Sequence, residues 1–226
     1  MSAPRIRGVG IVTGWGDGVA PLAEARGRPR AELVPVPTPV VAGERLRRAT
    51  RECLLGTTAV RGALADGECD GAALAGDRTG MLYVSATAYA AANRAFLEDE
   101  RSTTLHFPYT APSAVPGEVT IEFEIRGPYM SLMGGGTAAL QGLWFAACWL
   151  ADGVADRVLV LAVEAMHEVR DLFTRARRLY EAPLVEGAAC LLLEPGDTQR
   201  LAWASSAVDR LRAPMAVDGV LDAVLP

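Results

Sequence analysis

Five short apolar runs limit what this chain can fold into: "RIRGVGIVT" (Arg5–Thr13), "TGMLYVSAT" (Thr79–Thr87), "YMSLM" (Tyr129–Met133), "DRVLVLAVE" (Asp156–Glu164) and "EGAACLLLEP" (Glu186–Pro195). Each is strand-length and bounded by Gly, Pro or charged residues, the pattern of a strand covered on both faces. Such strands need a helical layer on each side, and the intervening segments supply it. "GERLRRATRECLLGTTAVRGALADG" places Leu46, Ala49, Cys53, Leu54, Ala59 and Leu64 mostly three to five residues apart, predicting an amphipathic helix that ends near Gly67. "AYAAANRAFLED" reads as an alanine-rich helix and "EVRDLFTRARRLYE" as a charged one. Thr137 to Ala151 is apolar almost all round, which predicts a helix inside the core. "HFPYTAPSAVPGE" leads into a short helix or extended piece, and "RLAWASSAVD" suits a last edge strand. Residues 17–41, rich in Pro, Gly and Arg without period, read as an irregular loop. The expected fold class is α/β: one layered domain over residues 1–226, with helices packed on a mostly parallel five-stranded sheet.

Composition excludes several functions. With 226 residues, half of them hydrophobic, the chain can bury a core without disulfides or metal. A net charge of −5 and the absence of a basic tract argue against a nucleic-acid partner. Every basic residue is Arg, so the lysine amine required for Schiff-base chemistry is missing. Cys53, Cys69, Cys148 and Cys190 are widely spaced, with no CxxC pair and no clustered His, so no metal site and no disulfide framework is expected. No cofactor motif is found. The N-terminus lacks a long apolar h-region and no eighteen apolar residues run together, giving an expected cytoplasmic protein with no membrane span.

Gly134, Gly135 and Gly136 stand where the apolar helix begins. A phosphate cradle would need GxxxxGK[ST] or GxGxxG, and neither is present. The better reading is a turn whose backbone N–H groups point into a pocket or toward a partner.

Several segments in order resemble the N-terminal half of the β-ketoacyl synthases, members of the thiolase fold. "GVGIVTGWGDG" is similar to the opening strand and turn of that family, and "RRATRECLLGTTAVRGALADG" to its arginine-led first helix. "FPYTAPSAVPGEVTIEFEIRGP", "DGVADRVLVLAVEAM" and "EGAACLLLE" resemble three further family segments, with Ser113 where an Asn commonly stands. The resemblance implies a cysteine at the start of the buried helix, where the helix dipole and free N–H groups would activate it. Counting back from Gly153 and Asp156 puts Gly136 at that position. The family nucleophile is therefore replaced by a residue with no side chain, and no catalytic residue is expected. The resemblance also implies two catalytic histidines in a second half, and His106 and His167 do not match their motifs.

Other candidates read as structural. Cys148 and Cys190 are apolar positions of a helix and a strand. Ser131 lacks a G-x-S-x-G elbow, and the alternation of Glu122 and Glu124 suits a solvated face.

The resemblance thus implies a non-catalytic, half-length subunit of the chain-length-factor type. It would form a heterodimer with an active ketosynthase in fatty-acid, polyketide or polyene biosynthesis. Family members pair through the strand before the nucleophile, which puts Tyr129, Met130, Ser131 and Leu132 at the partner interface. Met133, Gly134, Gly135, Gly136 and Phe107 would line the acyl tunnel or an oxyanion site. Two alternatives stay open: an enzyme that processes acyl thioesters with the glycine amides as an oxyanion hole, and a homodimer that binds an acyl group or acyl carrier protein. Arg175 to Arg178, "RARR", offers a surface for an acidic carrier protein, or a solvated helix face.

Overall fold

The structure, a computed structural model, describes residues 4–21, 33–87, 89–99, 104–172 and 186–196. Its strands are β1 (Pro4–Thr13), β2 (Gly16–Asp17), β3 (Thr79–Ser85), β4 (Tyr129–Met133), β5 (Arg157–Glu164) and β6 (Gly187–Pro195). They form one sheet in the order β2-β1-β6-β5-β3-β4. All five apolar runs become strands within two residues of their expected limits.

The sheet corrects the expected strand count and direction. It has six strands among the described residues, because "GD" at 16–17 folds back on Val12 and Thr13 as a two-residue strand too short for any periodic signal. Only β4-β3-β5 is parallel. β6 runs antiparallel to both β1 and β5, so the sheet is mixed. An apolar run records burial on two faces; the direction of its neighbour leaves no mark on it.

The helices include α1 (Arg51–Asp66), α2 (Ala90–Glu98), α3 (Ala114–Glu122) and α4 (Gly136–Ala151), with short 3-10 turns between elements. The expected helix after Gly43 is split: Arg45–Arg48 make a 3-10 turn, Ala49 is extended, and α1 starts at Arg51. Side chains of a strand alternate between faces, and the core divides accordingly. Met81 and Tyr83 of β3, Leu159 and Leu161 of β5, and Cys190 and Leu192 of β6 pack with Leu55, Ala59 and Ala63 of α1. Leu82, Val84, Val158, Val160, Leu191 and Leu193 pack with Ala139, Leu143 and Ala146 of α4 on the opposite face. Each fully buried aliphatic side chain contributes about 1.5–3 kcal/mol of transfer free energy, and β3 is buried at all seven positions.

A close approach fixes the first helix on the sheet. A Cβ on Gly10 would stand 1.8 Å from the carbonyl oxygen of Ala59, so the backbone of α1 rests directly on β1. Gly62 faces the same spot, where its own Cβ would reach Gly10 Cα at 3.2 Å.

The apolar helix departs from its expected place in a closed core. Ala138, Ala139, Gly142, Leu143, Ala146 and Leu150 of α4 are buried, whereas Trp144 is 54% exposed and Leu140, Ala147 and Cys148 are half-buried. One face of α4 covers the sheet, and its other face is apolar without a described layer over it. Glu122 closes α3 and pairs with Arg45 at 2.9 Å and Arg61 at 2.7 Å, while Glu124 takes a left-handed conformation just beyond the helix. They occupy a helix end, and between them Phe123 is buried while Glu124 is exposed, as the alternating solvated face expects.

Residues 33–41 of the expected loop have no regular structure. Residues 22–32, most of the charged helix with Arg175 to Arg178, and the expected edge strand at 200–209 lie outside the described residues.

Candidate functional site

Parallel strands present their C-terminal ends on one edge of a sheet, where α/β proteins place ligands. On that edge β4 ends at Met133, beside Ser85 at the end of β3. The chain then turns through Gly134, whose φ of +153° disfavours any residue with a Cβ. Its N–H donates to the carbonyl of Ser85 at 2.9 Å, which ties the turn to β3. Gly135 caps α4, its carbonyl accepting from the N–H of Ala138 at 3.0 Å and of Ala139 at 3.2 Å. Gly136 is the first residue of α4 and is buried. First-turn N–H groups such as those of Gly136 and Thr137 have no carbonyl four residues earlier in their helix, and the helix dipole adds about half a positive charge there. The turn can hold an anion or a carbonyl oxygen. Its three glycines carry no side chain that could attack one.

Tyr129, Ser131 and Met133 share one face of β4, with a short contact between the Tyr129 and Ser131 hydroxyls. Tyr129 and Met133 are each 46% exposed. Met130 and Leu132, on the other face, pack against the α4 side of the core. Among the described residues β4 is the last strand in the sheet order and pairs with β3 alone.

Met133, Gly134, Gly135 and Gly136 come together as one turn. Phe107 belongs elsewhere: it is exposed in the 3-10 turn Phe107–Thr110, edge to face with Phe96 of α2 at 6.0 Å. Two residues on, Tyr109 packs into the α1 side of the core, across the sheet from α4.

Two carboxylates on the same edge were not apparent as site residues in the sequence. Glu164, at the end of β5, is fully buried and accepts from Ala86 N–H at 2.8 Å, Thr87 N–H at 2.9 Å and the Thr87 hydroxyl at 2.5 Å. It pins the turn that follows β3. Glu186 accepts from the N–H groups of Met166 and His167, both at 2.9 Å, and of Val36 at 2.8 Å, and it pairs with Arg51. Burial pushes its pKa up, but the Arg51 hydrogen bond and these N–H donors outweigh it and hold the carboxyl below its ordinary range. Both are saturated structural anchors. The tripeptides "AVE" and "VEG" at strand boundaries were the available signal, and a lone Glu in such a context does not announce its donors.

No thiol is activated among the buried cysteines. Burial pushes Cys53 up to about 12 and raises Cys190 further, the reverse of what a nucleophile requires. Among the described residues no cluster of three His, Cys, Asp or Glu could hold a metal ion, and no helix is long and apolar enough to cross a membrane.

The fold and the turn define a class. Solved structures share this architecture: a beta-ketoacyl synthase from Burkholderia phymatum aligns at 19% identity with a TM-score of 0.71, covering 86% of this chain and 59% of that one. The ishigamide ketosynthase/chain length factor aligns at 20% identity and TM-score 0.68, covering 87% of this chain and 63% of that one. The ketosynthase ApeO in complex with its chain length factor ApeC, from Xenorhabdus doucetiae, aligns at 16% identity and TM-score 0.64, covering 87% and 81%. At these identities the likeness is one of fold, and the chain spans about six tenths of the first two structures. Comparison with curated proteins gives no match. The family model of the beta-ketoacyl synthase N-terminal domain matches residues 40–180, a stretch that holds the arginine-led helix, the "FPYT" turn, β4 and the glycine turn. The chain belongs to the β-ketoacyl synthase family by this match, in its N-terminal domain.

Proposed function

We propose that this chain is a non-catalytic ketosynthase-like subunit that pairs with an active β-ketoacyl synthase and shapes its acyl tunnel. The observation that carries the reading is the glycine turn: at the expected nucleophile position Gly136 opens α4 with the N–H groups and dipole of an active turn but with no side chain to acylate. Acyl chemistry would then come from a partner. The outer side of β4, unpaired among the described residues and with Tyr129 and Met133 exposed, supports it as the partner edge, since an open strand edge invites pairing with another chain. The two similar structures that contain a chain length factor support the same division of labour. Met133 is the tunnel residue best placed for control, at the junction of this edge and the turn. Each methylene admitted or excluded there is worth about 0.8 kcal/mol, enough to bias product length. An acyl carrier protein is the expected delivery partner.

Co-expression with a ketosynthase bearing its active cysteine tests the proposal, read by light scattering and by product analysis. A one-to-one complex whose product shortens with Met133→Trp supports it. A chain that stays apart from every ketosynthase offered refutes it. A self-paired dimer that binds acyl thioester without a ketosynthase would instead establish the acyl-binding alternative.

A further inference from the structure

Across the sheet from α4, a cleft is lined by Thr50 and Glu52 at the start of α1, Tyr83 of β3, Tyr89 and Ala92, Tyr109, and the Ala111–Val115 stretch. It measures about 210 Å³ with its open mouth. Glu52 is only 5% exposed, yet its Oε1 has no hydrogen-bond partner among the described residues. An unpaired buried carboxylate oxygen is costly unless something donates to it or the group is neutral, so Glu52 in its charged form calls for a donor.

The neighbouring charges are committed elsewhere. Arg51, next on the helix, is taken by Glu168, Glu186 and the Val36 carbonyl. Arg45 pairs with Glu118 and Glu122, and the Tyr109 hydroxyl donates to Glu118 at 3.1 Å. The Thr50 hydroxyl donates to Cys53 Sγ at 3.3 Å and also lies by the Glu52 carboxyl, without serving Oε1. What remains in the cleft is one uncompensated carboxyl oxygen surrounded by three tyrosines, two of which, Tyr83 and Tyr109, come from different elements of the α1 face.

We propose that this cleft binds the ammonium head of a small amine, ammonium ion included. An ammonium N–H would supply the donor that Glu52 Oε1 lacks, and tyrosine rings attract cations through their π electrons. A hard metal ion would want six or more oxygen ligands, which the cleft does not offer. A quaternary ammonium has no N–H to give Oε1. The interior admits one water-sized group, which suits ammonium or a primary amine entering head first.

Binding at this site is linked to a proton. Burial, the largest influence, raises the Glu52 pKa, and Glu168 adds to it, while a helix N–H, Thr50 and Arg51 pull it down; the net direction is up. The other titratable groups near it are Cys53 on its own helix, Tyr83 on β3, Tyr89, Tyr109 and Glu118. When the site is empty the carboxyl holds its proton to a higher pH than usual. An arriving ammonium requires the carboxylate, so binding releases up to one proton and strengthens as pH rises toward full ionisation of Glu52.

Isothermal titration of the full chain with methylammonium chloride, against sodium chloride at matched ionic strength, tests the site. Across measurements from about pH 4.5 to about pH 8.5, the expected result is saturable binding that tightens as Glu52 ionises, by up to about tenfold per unit, accompanied by proton release. Glu52→Gln, near-isosteric and uncharged, should abolish it. Tyr109→Phe should keep it, and Tyr109→Leu should weaken it by about fivefold through loss of the ring. Tetramethylammonium should not compete. Absence of methylammonium-specific binding, or equal binding by a folded Glu52→Gln variant, overturns the proposal. Should Glu52→Gln not fold, an affinity of the unaltered chain that stays flat across that pH range overturns it equally.

Discussion

Arg51 Nη2 stands 2.7 Å from Glu186 Oε2, joining the first turn of α1 to the residue before β6 across 135 positions of sequence. The glutamate side chain is fully shielded and the arginine side chain is 13% exposed, so this pair escapes the solvent screening that makes most surface ion pairs nearly neutral. Arg51 also donates to the Val36 carbonyl at 2.8 Å, and Glu186 accepts from Val36 N–H. Removing Arg51 leaves Glu186 buried without its cation, and removing Glu186 leaves Arg51 with only its more exposed partner Glu168. Arg51→Ala and Glu186→Ala are each expected to cost about 3–5 kcal/mol in urea denaturation. Arg51→Lys should recover only part of that, since an ammonium cannot reproduce the fork that reaches carbonyl and carboxylate together.

The same pair makes stability depend on acid. The folded pKa of Glu186 is depressed, so its contribution is complete above its unfolded value of about 4.3 and disappears as pH falls through the lower folded value. The urea midpoint should therefore drop on acidification below about pH 4.3. A Glu186→Gln variant should show a shallower acid dependence over that window. An unchanged slope would remove Glu186 from the account.

The contact between β1 and α1 leaves no space for a methyl group. Gly10→Ala would put its Cβ against the Ala59 carbonyl and 2.5 Å from the Ala63 nitrogen, both backbone atoms that cannot swing aside. Overpacking of this kind costs about 1–3 kcal/mol or more, measurable as a lowered midpoint of chemical unfolding. Gly18→Ala makes a useful contrast. It has open space around it and a left-handed φ of +85°, so any loss there reports backbone strain alone.

Restoring a thiol at the helix start tests the electrostatics of the glycine turn apart from any partner. Gly136→Cys places sulfur at the first residue of α4, where free N–H groups and the dipole favour thiolate. Labelling by iodoacetamide at neutral pH, followed by mass spectrometry, should modify the introduced thiol about tenfold faster than an ordinary one. Cys148 of the same variant serves as the internal reference. Equal rates would mean that the turn has no activating field.

Much of this fold could be read from the sequence because its strands are buried on both faces and so are nearly uninterrupted aliphatic runs. "YMSLM" became β4 with no change of limits, and the helix after the glycines began one residue early. Direction was not legible. Leu191 and Leu192 look alike whether their neighbours in β5 run parallel or antiparallel. The outer face of α4 was misplaced for a related reason: apolarity of Trp144, Leu140 and Ala147 records what a surface is suited to touch, and does not require the contact to lie within this domain. At the site, the glycine turn was visible because glycine is conspicuous. Arg51 with Glu186, and the cleft at Glu52, were hidden because their partners lie far apart along the chain and their charges resemble those of any solvated helix.

β3 separates two places with different chemistry. Val84 and Leu82 face the helix that starts at the glycine turn, while Tyr83 faces the cleft and, with Met81, the first helix. Adjacent residues in the sequence therefore answer to different demands, and substitutions at Tyr83 and Val84 can be tolerated or selected independently. An inserted or deleted residue within the strand has no such freedom, because it would exchange the two faces and spoil both at once. The strand can drift in composition one face at a time, yet its length is held by two constraints that have nothing else in common.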